Sequence, residues 1–423
     1  MTASLSKSAR YIVLLAAIGG LLFDGVELGL MPVASLSVSQ GLLGDVYTPT
    51  LGGDWFARFT AALMLGAAVG GIFLGSLGDR IGRARALGLS ILFYSVFAGL
   101  GAFAQTQEQM LVLRFLVGLG VGGVWPNAVA LAAECWPDKS RPIIAGLMGA
   151  ALNGGILMLS QIARTWHITP ESWRWIFQLA AAPAVLGLLV LTVVPESPLW
   201  LAARGARRNP GSAAIPAGRH SALRELFRPP LLRLTLIGIL IGSIPMVGAW
   251  AASKWMIPWA DKVGGTSEPG YKAITQGWWA LGAVLGSFFG AQIAAWLGRR
   301  CAYAIISAAA TALTSLMFLG TAPLQASFLP IVFAQGFVAT LFFGWLPLYL
   351  PELFPTRVRA AGSGIAYNVG RFATALGVLA AGALFVWMGG SYPKVGATCG
   401  LIYLLGLIVI WWAPDTTEKK LDA

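Results

Sequence analysis

Charge is scarce in this sequence: 11% of its 423 residues are Asp, Glu, Lys or Arg. Soluble globular domains carry about a quarter, so the deficit excludes an ordinary cytosolic enzyme and a disordered protein alike. Cysteine is nearly missing too. Cys135, Cys301 and Cys399 stand far apart and in odd number, so neither a disulfide framework nor a metal-ligating spacing can be read. The two histidines, His167 and His220, fall in an outer loop and a central loop between apolar runs, which excludes a membrane-embedded histidine relay. No Walker-type phosphate loop, H-E-x-x-H or G-x-S-x-G signature occurs. That argues against an ATP-driven pump on this chain and against an enzyme. No cofactor and no metal are expected.

Apolar residues take the place of charge. They make up 57% of the chain, with a mean hydropathy of +0.74. A membrane-crossing helix needs roughly 20 mostly apolar residues, so twelve crossings would use about 240 and leave the rest for short connections. Apolar runs bounded by charge fall at 10–34, 55–78, 85–105, 109–133, 141–164 and 174–194. They resume at 231–257, 272–297, 301–320, 326–350, 359–386 and 394–413. The stretch Tyr11 to Phe23 follows Lys7 and Arg10 as a signal-peptide core would. However, no A-x-A-like site follows and the run resumes past Asp24 and Glu27, so it is read as a retained first span. The expected fold class is an all-α polytopic membrane protein with twelve transmembrane helices.

The net charge of +12 would suit nucleic acid, but its distribution speaks for a membrane. With the N-terminus inside, 20 of the 29 Lys and Arg fall in cytoplasmic segments. This is the positive-inside pattern, facing anionic lipid. No nucleic-acid partner is expected; the partners are the lipid bilayer and a small-molecule substrate, with protons. Both termini are expected in the cytoplasm, and the protein in the plasma (inner) membrane as a monomer. The longest polar segment contains Pro210-Gly211, Pro216, Gly218 and Pro229-Pro230. It divides the chain into a six-helix bundle over 1–201, a cytoplasmic linker over 202–230 and a second six-helix bundle over 231–423. The halves echo one another: Glu134-Cys-Trp-Pro137 with Arg141 and Gly146 recurs 218 positions later as Glu352-Leu-Phe-Pro355 with Arg359 and Gly364. A repeat of this length and fixed offset marks a transporter built from two pseudo-symmetric halves.

Between the second and third runs stands Gly75-Ser-Leu-Gly-Asp79-Arg80-Ile-Gly82-Arg83-Ala-Arg85. Its glycines permit a tight turn and close helix contact, Asp79 can cap a helix or pair with an arginine, and the cations hold the turn at the lipid surface. This resembles the loop signature of the major facilitator superfamily. The second-half copy has Ala295 where an aspartate would be expected, and keeps Gly298, Arg299 and Arg300. Arg114-x3-Gly118-x-Gly120-x-Gly122-Gly123 resembles the family's fourth-helix motif. Trp173-Arg174-Trp175 and Pro195-Glu196-Ser197-Pro198-Leu199-Trp200-Leu201 resemble its sugar-porter and organic-ion branches. Asp24-Gly25-Val26-Glu27 resembles the first-helix D-G-x-D of the aromatic-acid and metabolite:proton symporters, with Glu for the second Asp. The sugar porters' seventh-helix glutamine pair is missing from Gly238-Ile-Leu-Ile-Gly-Ser-Ile-Pro245. The resemblance implies a charge lattice closing the cytoplasmic side. Asp79, Glu134, Glu196 and Glu352 supply its negative partners, and Arg83, Arg141, Arg299, Arg300 and Arg359 its positive ones. The plainer alternative is that such residues hold the fold and solvate its surface, which is the reading for Arg80 and Arg85.

Four ionisable residues are read inside the spans: Asp24 and Glu27 in the first, Arg114 in the fourth and Arg371 in the eleventh. A charge at mid-bilayer costs about 3 kcal/mol on insertion scales, so a water-filled cavity between the halves is their natural place. Asp24 and Glu27, three apart, share a helical face, as do Asn368 and Arg371. Two carboxylates and two guanidiniums cancel when all are ionised, and protonating one carboxylate leaves a positive site. Such a cavity would bind a proton and an organic anion together. The alternative is that Asp24–Arg371 or Glu27–Arg114 are fixed pairs locking helices. Asn153 is a weaker candidate, since polar residues also knit helices together. Trp125-Pro126-Asn127 and Trp345-Leu346-Pro347 occupy nearly equivalent places in the fourth and tenth helices. Proline there permits a bend, and Trp125 and Trp345 are candidate walls for a ring-bearing substrate, with plain packing as the alternative.

The function expected is secondary transport, as proton-coupled symport of a small organic acid by alternating access. A uniporter or exchanger of a neutral or cationic metabolite is the rival within the class. A non-transporting membrane sensor is the rival outside it. A sensor is expected to carry a sizeable soluble domain or tail, and this sequence ends about ten residues after its last expected span.

Overall fold

The computed structural model describes residues 5–136, 141–208, 224–265, 267–355 and 358–417. Twelve helices in it are long and apolar enough to cross a membrane. They are α1 (Lys7–Val46), α2 (Pro49–Ile81), α3 (Arg83–Phe103), α4 (Gln107–Cys135), α5 (Gly146–Thr165) and α6 (Arg174–Val193). The second set is α7 (Leu231–Gly264), α8 (Tyr271–Leu297), α9 (Arg299–Gly320), α10 (Phe328–Leu353), α11 (Gly362–Trp387) and α12 (Tyr392–Trp412). Among the described residues there is no strand. With no water inside a bilayer, backbone groups must be satisfied within the segment, and helices do this at lowest cost. Hydroxyls begin several of them: Ser6, Thr48 and Thr106 accept from the backbone N–H three residues on, at 3.1–3.2 Å. These satisfy donors that helix starts leave open.

The halves repeat one packing plan. In the first, α1 packs on α5 and α2 on α4; in the second, α7 packs on α11 and α8 on α10. The halves meet through α5 against α8 and α2 against α11. A pseudo-twofold operation therefore carries each contact of one half onto a contact of the other.

The first two helices exceed their expected ends, running to Val46 and starting at Pro49 rather than stopping near 34 and 55. The extra turns carry Ser35, Ser37 and Ser39, all buried. Their polarity reads as a boundary, yet packing against neighbouring helices keeps them inside. α7 likewise passes its expected end at 257 and reaches Gly264.

Among the described residues, the apolar core is continuous across the halves at one end of the bundle only. There Trp255 of α7 meets Phe56 of α2 edge-on at 5.1 Å and stacks on Phe385 of α11 at 4.8 Å. At the other end, Leu226, Leu350, Leu353 and Phe354 belong to a separate cluster confined to the second half. The bundle is thus closed at the α1–α2 loop end and parted at the end bearing the Gly82 and Gly298 turns.

One crossing fixes the first half. A Cβ on Gly25 would collide with Leu152 O, and one on Gly155 with Leu22 O, so α1 and α5 touch backbone to backbone. Gly154, its neighbour, faces open space. Gly155→Ala is therefore expected to destabilise the protein by ~1–3 kcal/mol, the usual cost of overpacking, whereas Gly154→Ala is tolerated. Melting temperatures of the two variants in detergent check this.

Candidate functional site

Where the halves face each other lies a cavity of about 110 Å³. Asp24 of α1, Asn153 of α5, Trp125 of α4, Lys254 of α7, Trp279 of α8 and Arg371 of α11 all line it. A second cavity of about 230 Å³ adjoins it toward the Gly82 and Gly298 turns. Pro126, Pro347, Pro351 and Asn368 line that one, and Trp125, Tyr367 and Arg371 line both. Those three stand at the junction.

Asp24 is 2% exposed, and its Oδ1 accepts no hydrogen bond among the described residues. Arg371 crosses between halves: its Nη1 donates to Ala67 O of α2 at 3.1 Å, and its guanidinium lies 5.2 Å from the Tyr367 ring centre. Gly71 of α2 makes this approach possible, since a Cβ there would come 2.7 Å from Asn368 Oδ1 and 3.1 Å from Arg371 Nη1. Asn368 itself donates to Gly364 O at 3.0 Å. Asn153 donates to Ser287 Oγ of α8 at 2.8 Å, a bond between halves beside the cavity.

Three sequence candidates lie elsewhere. Glu27 and Arg114, each 1% exposed, form an ion pair at 3.1 Å, and Arg114 Nη2 also donates to Glu27 O at 3.3 Å. Neither lines the cavity. Sharing a helical face with Asp24 did not bring Glu27 to it, because Arg114 of α4 draws the longer side chain away. Trp345 is fully buried in the second-half core. Its indole donates to Arg299 O at 2.9 Å and stacks on Tyr349 at 4.4 Å, so it packs a turn and forms no cavity wall.

The residues read as a latch form two internal clusters in this state. Arg83 pairs with Asp79 at 2.5 Å and with Glu134 at 3.3 Å. Glu196 accepts from the backbone N–H of Arg83 at 2.7 Å, and Ser197 Oγ donates to Glu134 at 2.5 Å. Gly82, at φ +116°, makes the turn that lets α3 begin against that carboxylate. The second half rebuilds the cluster. Arg299 holds Glu352 bidentately at 2.9 and 3.1 Å, Thr416 Oγ1 donates to Glu352 at 2.5 Å, and Thr417 Oγ1 accepts from Arg299 N at 3.1 Å. Where Ala295 replaces the aspartate, Arg299 Nη1 donates to Ala294 O at 3.1 Å instead. Arg300 binds Ala413 O at 2.8 Å. These bonds all join elements of one half. Arg359 begins the helix leading into α11 and is half-buried; the Arg141 side chain lies outside the described residues.

At the closed end a clasp joins the halves. Lys272 of α8, 5% exposed, bonds Asp261 of α7 at 3.1 Å, Ser37 Oγ of α1 at 3.0 Å and Ile168 O at 3.1 Å. One ammonium thus ties two groups of the first half to one of the second.

Comparison with known proteins decides the family. The sequence pattern of the Major Facilitator Superfamily matches residues 16–378. This chain belongs to the major facilitator superfamily. A "cis,cis-muconate transport protein" of Acinetobacter baylyi is 30% identical, over 92% of each chain. A "probable 4-methylmuconolactone transporter" of Cupriavidus pinatubonensis is also 30% identical, over 84% of this chain and 81% of that one. Among solved structures, a D-xylose-proton symporter superposes with a TM-score of 0.74 at 16% identity, over 97% of this chain and 99% of that one. This last is a likeness of fold. As a superfamily member the protein is a multi-pass membrane transporter and not an enzyme.

Sequence reasoning missed two residues of this superfamily member, Lys254 and Lys272. Each sits within three residues of an expected span end, 257 or 272, where a lysine ordinarily snorkels to water. The signal that could have found them is the tryptophan spacing around Lys254 and the acidic Asp261 eleven residues before Lys272.

The buried pair yields a test. Glu27→Gln leaves the Arg114 guanidinium without its anion and is expected to cost about 3–5 kcal/mol. The double variant Glu27→Gln, Arg114→Gln should recover most of that loss. Detergent melting curves of the single and double variants measure it.

Proposed function

We propose that this chain carries a small organic anion across the plasma membrane by alternating access, with a proton on Asp24 travelling alongside. The carrying observation is the charge of the cavity. Glu27 and Arg114 neutralise each other behind its wall, leaving Asp24 to share the cavity with two cations, Arg371, which stands within its electrostatic reach, and Lys254 on another wall. With Asp24 ionised these three sum to +1, and with Asp24 protonated to +2. A proton there favours an anion, and the anion favours the proton to the same degree. Glu27 and Tyr94 also stand within electrostatic reach of Asp24; neither adds positive charge. The muconate and methylmuconolactone relatives are named for small organic acids, which supports the same class.

The moving bodies are taken as residues 1–201 and 231–423, with 202–230 as tether, rocking about the cavity. The positive-inside rule places both termini and the Gly82 and Gly298 turns in the cytoplasm. The described state is then open inward, and the Lys272 clasp is the outer gate. The two arginine–glutamate clusters brace the inner rims that must meet when the outer side opens.

In proteoliposomes, adding cis,cis-muconate outside is expected to acidify the lumen. Asp24→Asn should abolish uptake against a gradient while sparing exchange of internal for external substrate, because an amide keeps the size of the group but cannot titrate. Uphill uptake at the wild-type rate would remove Asp24 from coupling.

The clasp predicts a population shift. Lys272→Met removes three bonds, two of them between halves, and a tenfold shift toward the outward-open state needs only about 1.4 kcal/mol. Spin-label distances between the outer ends of α2 and α8 should lengthen. An unchanged distance distribution would place the gate elsewhere.

A further inference from the structure

One cation in the cavity is bonded to no anion among the described residues. Lys254 is 1% exposed and lines the first cavity, and its Nζ makes no hydrogen bond among the described residues. Only aromatic faces hold it: the ammonium lies 3.4 Å from the ring centre of Trp279 and 5.5 Å from that of Trp250. The attraction of an indole face offsets only part of the cost of burying an ammonium without an anion.

The surroundings aim the cation. The α-helical register of α7 gives way to a π turn at Gly248–Ala252 and a 3-10 turn at Ser253–Trp255. Irregular backbone at membrane depth is tolerated where it is buried in protein or lines a cavity, and π turns gather at functional sites. Trp279 is fixed in turn. Its Nε1 donates to Gln335 Oε1 at 2.7 Å, and Gln335 Nε2 donates to Ser253 Oγ at 2.6 Å and to Thr314 Oγ1 at 3.3 Å. This buried chain sets the indole plane beneath the ammonium and ties it to the residue preceding Lys254.

We propose that Lys254 anchors a substrate carboxylate, and that the ligand is a flat, conjugated or aromatic carboxylate lying along the indoles. The proposal rests on reading this cavity as the substrate site. Arg371 lines both cavities and Lys254 only the first, so the ammonium is the deeper cation for a ligand arriving through the second cavity. A carboxylate reaching it takes a charge-assisted hydrogen bond from Nζ. Its π-system then meets Trp279, Trp250 and Trp125, all of which line the space. Size agrees: at ~10–15 Å³ for each water-sized site, a cavity of about 110 Å³ takes roughly ten non-hydrogen atoms. That suits a six-carbon diacid or a benzoate. A saturated acid of equal length keeps the ion pair but loses the stacking, and more of its conformational freedom must be frozen.

The test uses the purified full chain in detergent with two probes, cis,cis-muconate and its saturated counterpart adipate, read by calorimetric titration and by melting temperature. Wild type is expected to bind muconate about tenfold more tightly than adipate. Lys254→Met should weaken muconate binding about ten- to a hundredfold and raise the ligand-free melting temperature, because an uncompensated buried charge is gone. Lys254→Arg should keep most of the affinity. A lysine that merely locks helices gives the opposite pair of results, a lower melting temperature with normal binding, and that would overturn the proposal. Equal muconate affinity in wild type and Lys254→Met also overturns the anchor while leaving the organic-acid reading standing. Equal affinity of wild type for muconate and adipate overturns the preference for a flat ligand. A wild type that binds neither acid overturns both the anchor and the reading beneath it.

Discussion

An ion surrounded by hydrocarbon needs a counter-ion, and the layout of this transporter follows from where that need is met and where it is left open. Glu27 and Arg114 meet it at 3.1 Å with both side chains withdrawn from solvent, which ties α1 to α4 deep inside the first half. Lys272 meets it with Asp261 and adds two oxygens of the other half. Arg299 and Glu352 meet it bidentately at the second-half turn. Lys254 is bonded to no anion among the described residues. Breaking a satisfied buried pair costs several kcal/mol, so such pairs behave as fixed parts, whereas an unsatisfied charge is a standing preference for a ligand.

The two halves show how one constraint finds two chemical solutions. In the first, the arginine after the turn glycine takes Asp79 and Glu134, and Glu196 caps the new helix. In the second, Ala295 supplies no carboxylate. Arg299 turns to Glu352 and to a backbone carbonyl, and a threonine hydroxyl takes the capping role. Ser197 and Thr416 occupy matching places, each donating to the cluster's glutamate at 2.5 Å. The carboxylate missing from the second half is replaced by main-chain and hydroxyl oxygens, so the turn geometry survives with less charge to exchange between halves.

The same logic links the cavity to the gates. The apolar core joins the halves at one end and parts at the other, and the only charged group among those described that bonds across at the joined end is Lys272. On the proposed reading, opening that end must expose an ammonium to water, which compensates for the bonds it loses. Closing the opposite end must bring two pre-formed arginine–glutamate clusters together without rebuilding either.

Much of this was legible in the residues. Local hydropathy places twelve helices, because the bilayer forces the backbone of each crossing to satisfy itself within its own segment. The cost of an embedded charge singles out Asp24, Glu27, Arg114 and Arg371 as cavity residues; Asp24 and Arg371 line it, and the other two pair behind it. The matching spacing of Glu134 and Glu352 announces the repeat. What the linear pattern could not decide was partnership. Whether Glu27 faces the cavity with Asp24 or turns to Arg114, whether Trp345 lines a wall or packs a turn, and whether Lys254 reaches water or stays under an indole depend on helices far apart in sequence. Periodicity assigns a residue to a face of its own helix. Which helix stands opposite, and how close glycines such as Gly25 and Gly155 let it come, is set by three-dimensional packing, and packing alone determines which charges find partners.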